Sequence, residues 1–305
     1  HLDLGNFELD ALGVRWARDL GSDNYNLEGY WDAKRGGKRW SYYRLNSASH
    51  NVPMLNGEDQ DAQGSSRFIK VVTNESTPFA LVDLTEAYTK FANKVTRGLA
   101  MVQDRRAVLV QDEFELEKPC EVAWGMTTDA KIDTPENDLA VLTLKDKKLT
   151  ARILSPAGAK FIIESAEQNP PQRRNAGVGR LMVRRPSAQS SVRIAILLSP
   201  VWKDGKVVEE ASLKPLDQWA KNLKFPPKAG LGAALGNEQK KPQLRQGNYH
   251  SEEAAKEQLA KFAQSYSSLA QWKARAEHIR EGILRGAELL PLPKKRALNP
   301  IIHSK

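Results

Sequence analysis

The chain has 305 residues, 40% of them hydrophobic and 27% charged, with a formal net charge of +9. This composition is globular, and no run approaches the roughly 20 apolar residues that a membrane helix needs, so we expect no membrane partner. From Lys224 onward, fifteen Lys and Arg stand against seven Asp and Glu. The body of the chain is therefore close to neutral, which argues against a nucleic-acid partner.

From about residue 5 to residue 202, short apolar runs alternate with a period of two and are broken by Gly, Pro, Asn or Asp, as strands and turns require. About a dozen strands are too many for one open sheet. The sequence therefore predicts a mainly β fold, a large antiparallel β-sandwich. The predicted strands are 7–16, 39–45, 68–72, 79–84, 97–102, 107–111, 122–126, 139–144, 150–154, 161–165, 178–183 and 191–198.

The pattern changes near the C-terminus. Residues 226–249 are rich in Pro, Gly, Gln and Lys, as interdomain linkers are. Ser251 is predicted to cap a first helix, and the spacing of Ser268 and Gln271 predicts a capping box at the start of a second. The expected organisation is a sandwich domain over 1–225, the linker over 226–249 and a short basic helical tail over 250–305.

Cysteine and leader signals are few. Cys120 is the single cysteine, which excludes an internal disulfide and a metal site with several cysteines. The first residues show no basic region followed by an apolar stretch, so they contain no signal peptide.

The first fifty residues are the most specific part of the sequence. They resemble the C-terminal sandwich of heparinase II/III-like polysaccharide lyases, in which an H-x-H-x-D stretch leads into a strand that is followed by a Trp and an Asp-x-Gly. The matching residues are His1 to Asp3, Trp16, Asp19 to Gly21, Trp40 to Arg44, Ser49 to Asn51 and, further on, Ala80 to Tyr88.

This resemblance implies a bound metal, usually zinc, held by two His and one Asp, for which the positions here are His1, Asp19 and His50. Imidazole and carboxylate groups suit zinc, and ligands from separated strands would tie a sheet together. The alternative is that His50 is a surface residue and that Asp19 forms a turn before Gly21.

The resemblance also implies β-elimination on a uronic-acid-containing, acidic polysaccharide, in a periplasmic or secreted protein. In that family most catalytic groups lie on a helical toroid domain, which would precede His1. We therefore expect this chain to be an inactive fragment, an accessory domain that forms one wall of the substrate cleft, and we name no catalytic residue in it.

Two other groups of residues could bind ligands. Aromatic residues cluster between Tyr25 and Tyr43, and such rings stack on sugars, although core packing is the commoner role. Asp112 and Glu113 could pass for paired carboxylates, but a strand would direct them to opposite faces, which favours structural pairing or a solvated edge.

Three further interpretations remain open. If His1 is a true N-terminus, its amine and imidazole could join His50 to hold copper, as in polysaccharide monooxygenases. The chain could also be a stand-alone carbohydrate-binding module. Finally, residues 271–305 resemble the leader of secreted α/β-hydrolases of the acetyl-xylan-esterase type, so the tail could be the start of a truncated hydrolase domain.

Overall fold

The computed structural model describes residues 1–73, 76–187, 189–219, 243–245 and 251–287. It divides into two compact units, His1–Gly247 and Asn248–Lys305. The first is built from antiparallel sheets and the second from helices. The predicted mainly β, sandwich-like fold with a short helical tail is confirmed.

Three sheets make up the first unit: a hairpin of β1 and β2, a large sheet in the order β15-β4-β5-β6-β7-β14-β11-β10-β9, and a small sheet in the order β12-β13-β8-β3. The strands are β1 Leu9–Ala11, β2 Val14–Ala17, β3 Met54–Leu55, β4 Ser65–Val72, β5 Phe79–Asp83, β6 Ala92–Val102, β7 Ala107–Leu116, β8 Cys120–Thr128, β9 Lys131–Glu136, β10 Leu139–Leu144, β11 Lys147–Ser155, β12 Phe161–Ser165, β13 Gly179–Ser187, β14 Ser191–Pro200 and β15 Gln243–Arg245.

The main core lies between the large and the small sheet. Phe114 and Ile196 of the large sheet and Trp124 and Val183 of the small sheet belong to one buried apolar cluster. Alternate residues of each strand face inward, so the period-two pattern of the sequence supplies both walls. Burial of these side chains is the main stabilising contribution to the first unit.

The outer face of the large sheet is partly covered by the short helix α1, Leu216–Trp219. Gly98 on β6 permits this approach, because a Cβ there would stand 2.4 Å from Leu216 Cδ2. The absence of a side chain at Gly98 therefore allows the helix to pack on the sheet.

Some predicted strands were wrong in extent or in kind. The segment 39–45 is not a strand; Lys38–Ser41 forms a 3₁₀ helix, and Trp40 Nε1 donates a hydrogen bond to Lys34 O at 2.9 Å. The run 7–16 is two strands joined at Leu12 and Gly13, both with positive φ. The edge strand β9 was missed because it is polar and contains a proline, as sheet edges often do.

The second unit contains α2, Glu252–Gln264, and α3, Leu269–Gly286. Ser251 and Ser268 cap them through hydrogen bonds from the backbone N–H groups of Ala254 and Gln271. The predicted box is altered at its second half, since the Gln271 side chain accepts from Ser267 and not from Ser268. Neither helix buries a side chain.

The predicted linker 226–249 and the end of the tail lie outside the described residues, apart from β15. Among the helices that the structure describes, none is long and apolar enough to cross a membrane.

Candidate metal centre

Three side chains lie close enough together to bind one metal ion. Two of them are at the start of the chain, and the third is in a loop. Candidate ligand atoms of His1, Asp3 and His50 all lie within 4.8 Å of one another. The His1 and His50 ring centroids are 5.2 Å apart. Two imidazoles and one carboxylate are a donor set that suits zinc.

His50 has the hydrogen bonding expected of a metal-binding imidazole. The ring is fully buried, and Nδ1 lies 2.5 Å from Asp19 Oδ2. Its other nitrogen, Nε2, is buried without a hydrogen-bond partner. When Nδ1 donates its proton to a carboxylate, the Nε2 lone pair is left free for a metal ion, and the ring orientation is fixed. The orphaned nitrogen therefore fits a ligand to a metal.

Asp19 is held in place by its neighbours. Asn6 Nδ2 donates to Oδ2 at 3.2 Å, and the Gly21 backbone N–H donates to Oδ1 at 2.6 Å. Burial acts to raise the pKa of Asp19, but the hydrogen bond with His50 and that from Gly21 outweigh it, so this pKa lies below its ordinary value. The carboxylate is therefore kept ionised beside the imidazole.

The loop of His50 is fastened to β8 by its next residue. Asn51 Oδ1 accepts from the Thr127 backbone N–H at 2.7 Å, and its Nδ2 donates to Phe7 O and Arg18 O at 2.7 and 3.2 Å. One buried amide thus joins three chain segments around the site. It matters because Phe7, Arg18 and Asn51 lie outside the strands, so side-chain bonds of this kind supply partners for their backbone groups.

Two buried arginines complete the support. Arg180, 2% exposed, donates from Nη2 to His50 O at 2.9 Å. Arg97 makes a bidentate pair with Asp112 at 2.7 and 2.8 Å and donates from Nη1 to the backbone oxygens of Gly5 and Asn51. Arg97 thereby bonds the large sheet to the backbone at Gly5 and Asn51, on either side of the site. Asp112 is a structural partner, as the sequence favoured.

The structure brings together two of the three predicted ligands, His1 and His50, and places Asp19 against His50. Asp3 supplies the carboxylate of the compact group and was not among the predicted ligands. Its signal is the H-x-D spacing of His1 and Asp3: residues two apart in extended chain point to the same side.

An aromatic ridge lies in the loop between Asp19 and His50. We use this name for Tyr25, Tyr30, Trp31, Arg39 and Trp40. The Tyr25, Tyr30 and Trp31 rings contact one another with centroids 5.0 to 5.6 Å apart. The Arg39 guanidinium lies 4.7 Å from the centre of the Tyr30 ring and 5.3 Å from that of Trp40. Tyr30 is buried, whereas Tyr25 and Trp31 are 57% and 72% exposed.

Comparisons with known proteins agree with this architecture. The family model described as heparinase II/III-like, C-terminal, matches residues 1–192. No curated protein matches the chain.

Among solved structures, the chain is similar to the heparan sulfate lyase HepC from Pedobacter heparinus, with 14% identity, a TM-score of 0.53, and coverage of 65% of this chain and 30% of that one. A heparinase III gene product gives 17% identity, a TM-score of 0.53, and coverage of 66% and 30%. These likenesses show a shared fold, and the chain spans about 30% of the length of the lyases that it matches.

Proposed function

Because this chain belongs to the heparinase II/III-like family, whose C-terminal domain model matches residues 1–192, we propose that it is the accessory β-sandwich of a polysaccharide lyase. The parent enzyme cleaves a uronic-acid-containing polysaccharide by β-elimination, and the sandwich forms one wall of its substrate cleft beside a helical toroid domain. The family match over 1–192 carries the proposal. Such a protein acts in the periplasm or after secretion.

The aromatic ridge supports the role as a cleft wall. Tyr25 and Trp31 are large, exposed rings, and the Arg39 guanidinium lies over the ring of Tyr30, which contacts both of them. Aromatic faces pack on sugar rings, and guanidinium groups pair with carboxylate and sulfate groups.

The metal proposed at this centre is zinc in a structural role. His1, Asp3 and His50 would hold it, and Asp19 would orient the His50 ring. The orphaned His50 Nε2 supports this fit. Zinc would supply a cross-link between the start of the chain and the loop of His50.

Metal analysis tests this part of the proposal. We expect one zinc per chain, and we expect zinc to raise the melting temperature of the unsubstituted chain. His50→Ala should lose both the zinc and this rise in melting temperature. His278→Ala, on exposed α3, is the matched control and should keep its zinc. Tightly held copper would favour the monooxygenase alternative, since two histidines are present, and no metal would remove the structural zinc from the proposal.

Glycan binding tests the cleft wall. Long heparan sulfate fragments should bind the chain, and Trp31→Ala should weaken this binding about fivefold to tenfold, the loss of one stacked ring. Trp272→Ala, which removes an exposed ring from α3, should leave it unchanged. Equal binding by both variants would argue against the ridge.

A second candidate is a stand-alone carbohydrate-binding module, which the same exposed rings favour. The two differ in the need for a catalytic domain. We expect no unsaturated uronate product from this chain alone, and release of product on addition of a helical toroid domain would support the lyase. Binding without any such rescue would favour the module.

A further inference from the structure

A cavity of about 520 Å³ lies beside the metal centre, and nothing in the proposed function uses it. Its floor is formed by Leu2, Leu55, Ala87, Tyr88 and Phe91. The volume falls within the range of roughly 300–1,000 Å³ that is typical of small-molecule sites.

The polar atoms at the base of this cavity already have partners. Gln60, which is buried, bonds the Leu4 backbone through both ends of its amide and also donates to the Tyr88 hydroxyl at 2.7 Å. The Tyr88 hydroxyl in turn donates to Pro53 O at 2.6 Å. These polar atoms at the base are therefore already hydrogen-bonded. A ligand would be recognised by the residues of the walls and the rim.

One wall is aromatic. The half-buried Trp40 lines the cavity, and its indole N–H is fixed by Lys34 O. Arg39 stacks near the same ring, so the cavity begins where the aromatic ridge ends. A flat indole beside polar groups is a suitable surface for the C–H face of a sugar ring.

The rim carries charges that largely pair with one another. Arg35 binds Asp61 through two hydrogen bonds of 2.8 Å, and Lys90 pairs with Glu58. Asp59 accepts from the Ser47 backbone N–H through Oδ1, and its Oδ2 has no partner among the described residues. Asp59, which lines the cavity, thus has one carboxylate oxygen free to accept a hydrogen bond.

The charge balance limits the kind of ligand. Among the charged groups that line the cavity, three carboxylates outnumber two cations, so a sulfate group would meet net repulsion. Hydroxyl groups, in contrast, can donate to Asp59 and accept from the Thr89 hydroxyl at the rim.

We propose that this cavity binds one uncharged saccharide residue, with its ring on Trp40 and its hydroxyls on Asp59, as a subsite at the end of the aromatic ridge. The proposal rests on the proposed function, because it assumes a glycan that reaches this surface. It assigns a binding role to Asp59, which lies outside the aromatic ridge and is not one of the proposed metal ligands, and it places a sugar on the half-buried Trp40 at the end of that ridge.

The test measures binding of an unsulfated disaccharide of glucuronate and N-acetylglucosamine to the full chain, by calorimetry and ligand-observed NMR. The neutral N-acetylglucosamine is the residue expected to enter the cavity, because the glucuronate carboxylate would meet the same repulsion as a sulfate. Trp40→Ala and Asp59→Asn should each weaken binding about tenfold, since each removes one stacked ring or one charged acceptor. Trp272→Ala, which removes an exposed ring that belongs neither to the cavity lining nor to the aromatic ridge, should leave it unchanged. The same disaccharide with a sulfate on its glucosamine should bind at least about fivefold more weakly.

Melting temperature and metal content show whether each variant is still folded. If Trp40→Ala proves unstable, Asp59→Asn still tests the cavity, because asparagine has the shape of aspartate. No disaccharide binding, or binding that both cavity variants leave intact, overturns the proposal. If long heparan sulfate still binds through Trp31 in that case, the cavity fails while the proposed function stands. If neither saccharide binds, both fail.

Discussion

The sandwich core and the site loops of the same unit are stabilised in different ways. In the core, strands such as β7, β8, β13 and β14 bury alternate apolar side chains against one another. Between residues 18 and 53 the chain has only short 3₁₀ helices, and its position depends on side chains bonded to distant backbone. The core tolerates many apolar residues that fill its space, whereas the site loops need particular polar ones.

The largest effect is expected from a cavity in the core. Trp124 is fully buried, and Trp124→Ala should lower the free energy of unfolding by about 4 kcal/mol, as for other large-to-small core substitutions. The chains that remain folded should still bind metal, because the hydrogen bonds that hold His50 and Asn51 do not involve this ring, which contacts the ring of Phe7. Denaturant unfolding and metal content measure both, with Trp31→Ala at the surface as control. Metal loss in folded chains would show that core and site are not separable.

The next effect comes from the link between the two regions. Arg97→Met leaves Asp112 buried without a partner and frees the backbone oxygens of Gly5 and Asn51, so we expect a loss of about 3 kcal/mol. Arg193→Met on β14 is the matched control, because its pair with Glu113 is partly exposed and should contribute less than about 1 kcal/mol. Similar losses in the two variants would contradict the role of Arg97 as an anchor.

The same difference explains what the sequence predicted. Apolar alternation located most strands of the sandwich, because inward-facing residues of a strand repeat every two positions. It was wrong at 39–45, where alternating aromatic residues follow Gly36 and Gly37 and the chain forms a 3₁₀ helix over Lys38–Ser41 instead of a strand. Aromatic residues in a loop and in a strand look alike when only polarity is compared.

The sequence predicted which residue types could bind a metal, but not how these residues are arranged. His1, Asp19 and His50 are chemically suitable and were chosen by resemblance. Whether a carboxylate is a ligand or supports one depends on distances, and these distinguish Asp3 from Asp19. The contributions of Asn51 and Arg180 come from contacts across 76 and 130 positions of sequence. No local pattern contains such contacts, so the structure was needed to find them.

A smaller effect is expected within the site loops. Asn51→Ala leaves the buried Thr127 N–H and Phe7 O without partners, which should cost about 2 kcal/mol and also weaken metal binding, because His50 is the preceding residue. The control is Asn137→Ala at an exposed position, for which we expect no change in either quantity. Full metal content in Asn51→Ala would mean that other contacts suffice to hold the loop.

The smallest effect is expected in the helical unit. This unit differs from both the sandwich core and the site loops, because α2 and α3 bury no side chain within the described residues. Ser268→Ala removes the cap of α3 and should cost about 1 kcal/mol of helix stability, seen as a loss of far-ultraviolet circular dichroism on mild heating. Ser268→Asp should restore the signal, because an aspartate also accepts from the first-turn N–H groups. The cooperative unfolding of the sandwich should stay unchanged in both variants. A shift of that transition would show that α3 stabilises the sandwich, and the exposed apolar residues of this helix would then have a partner within the chain.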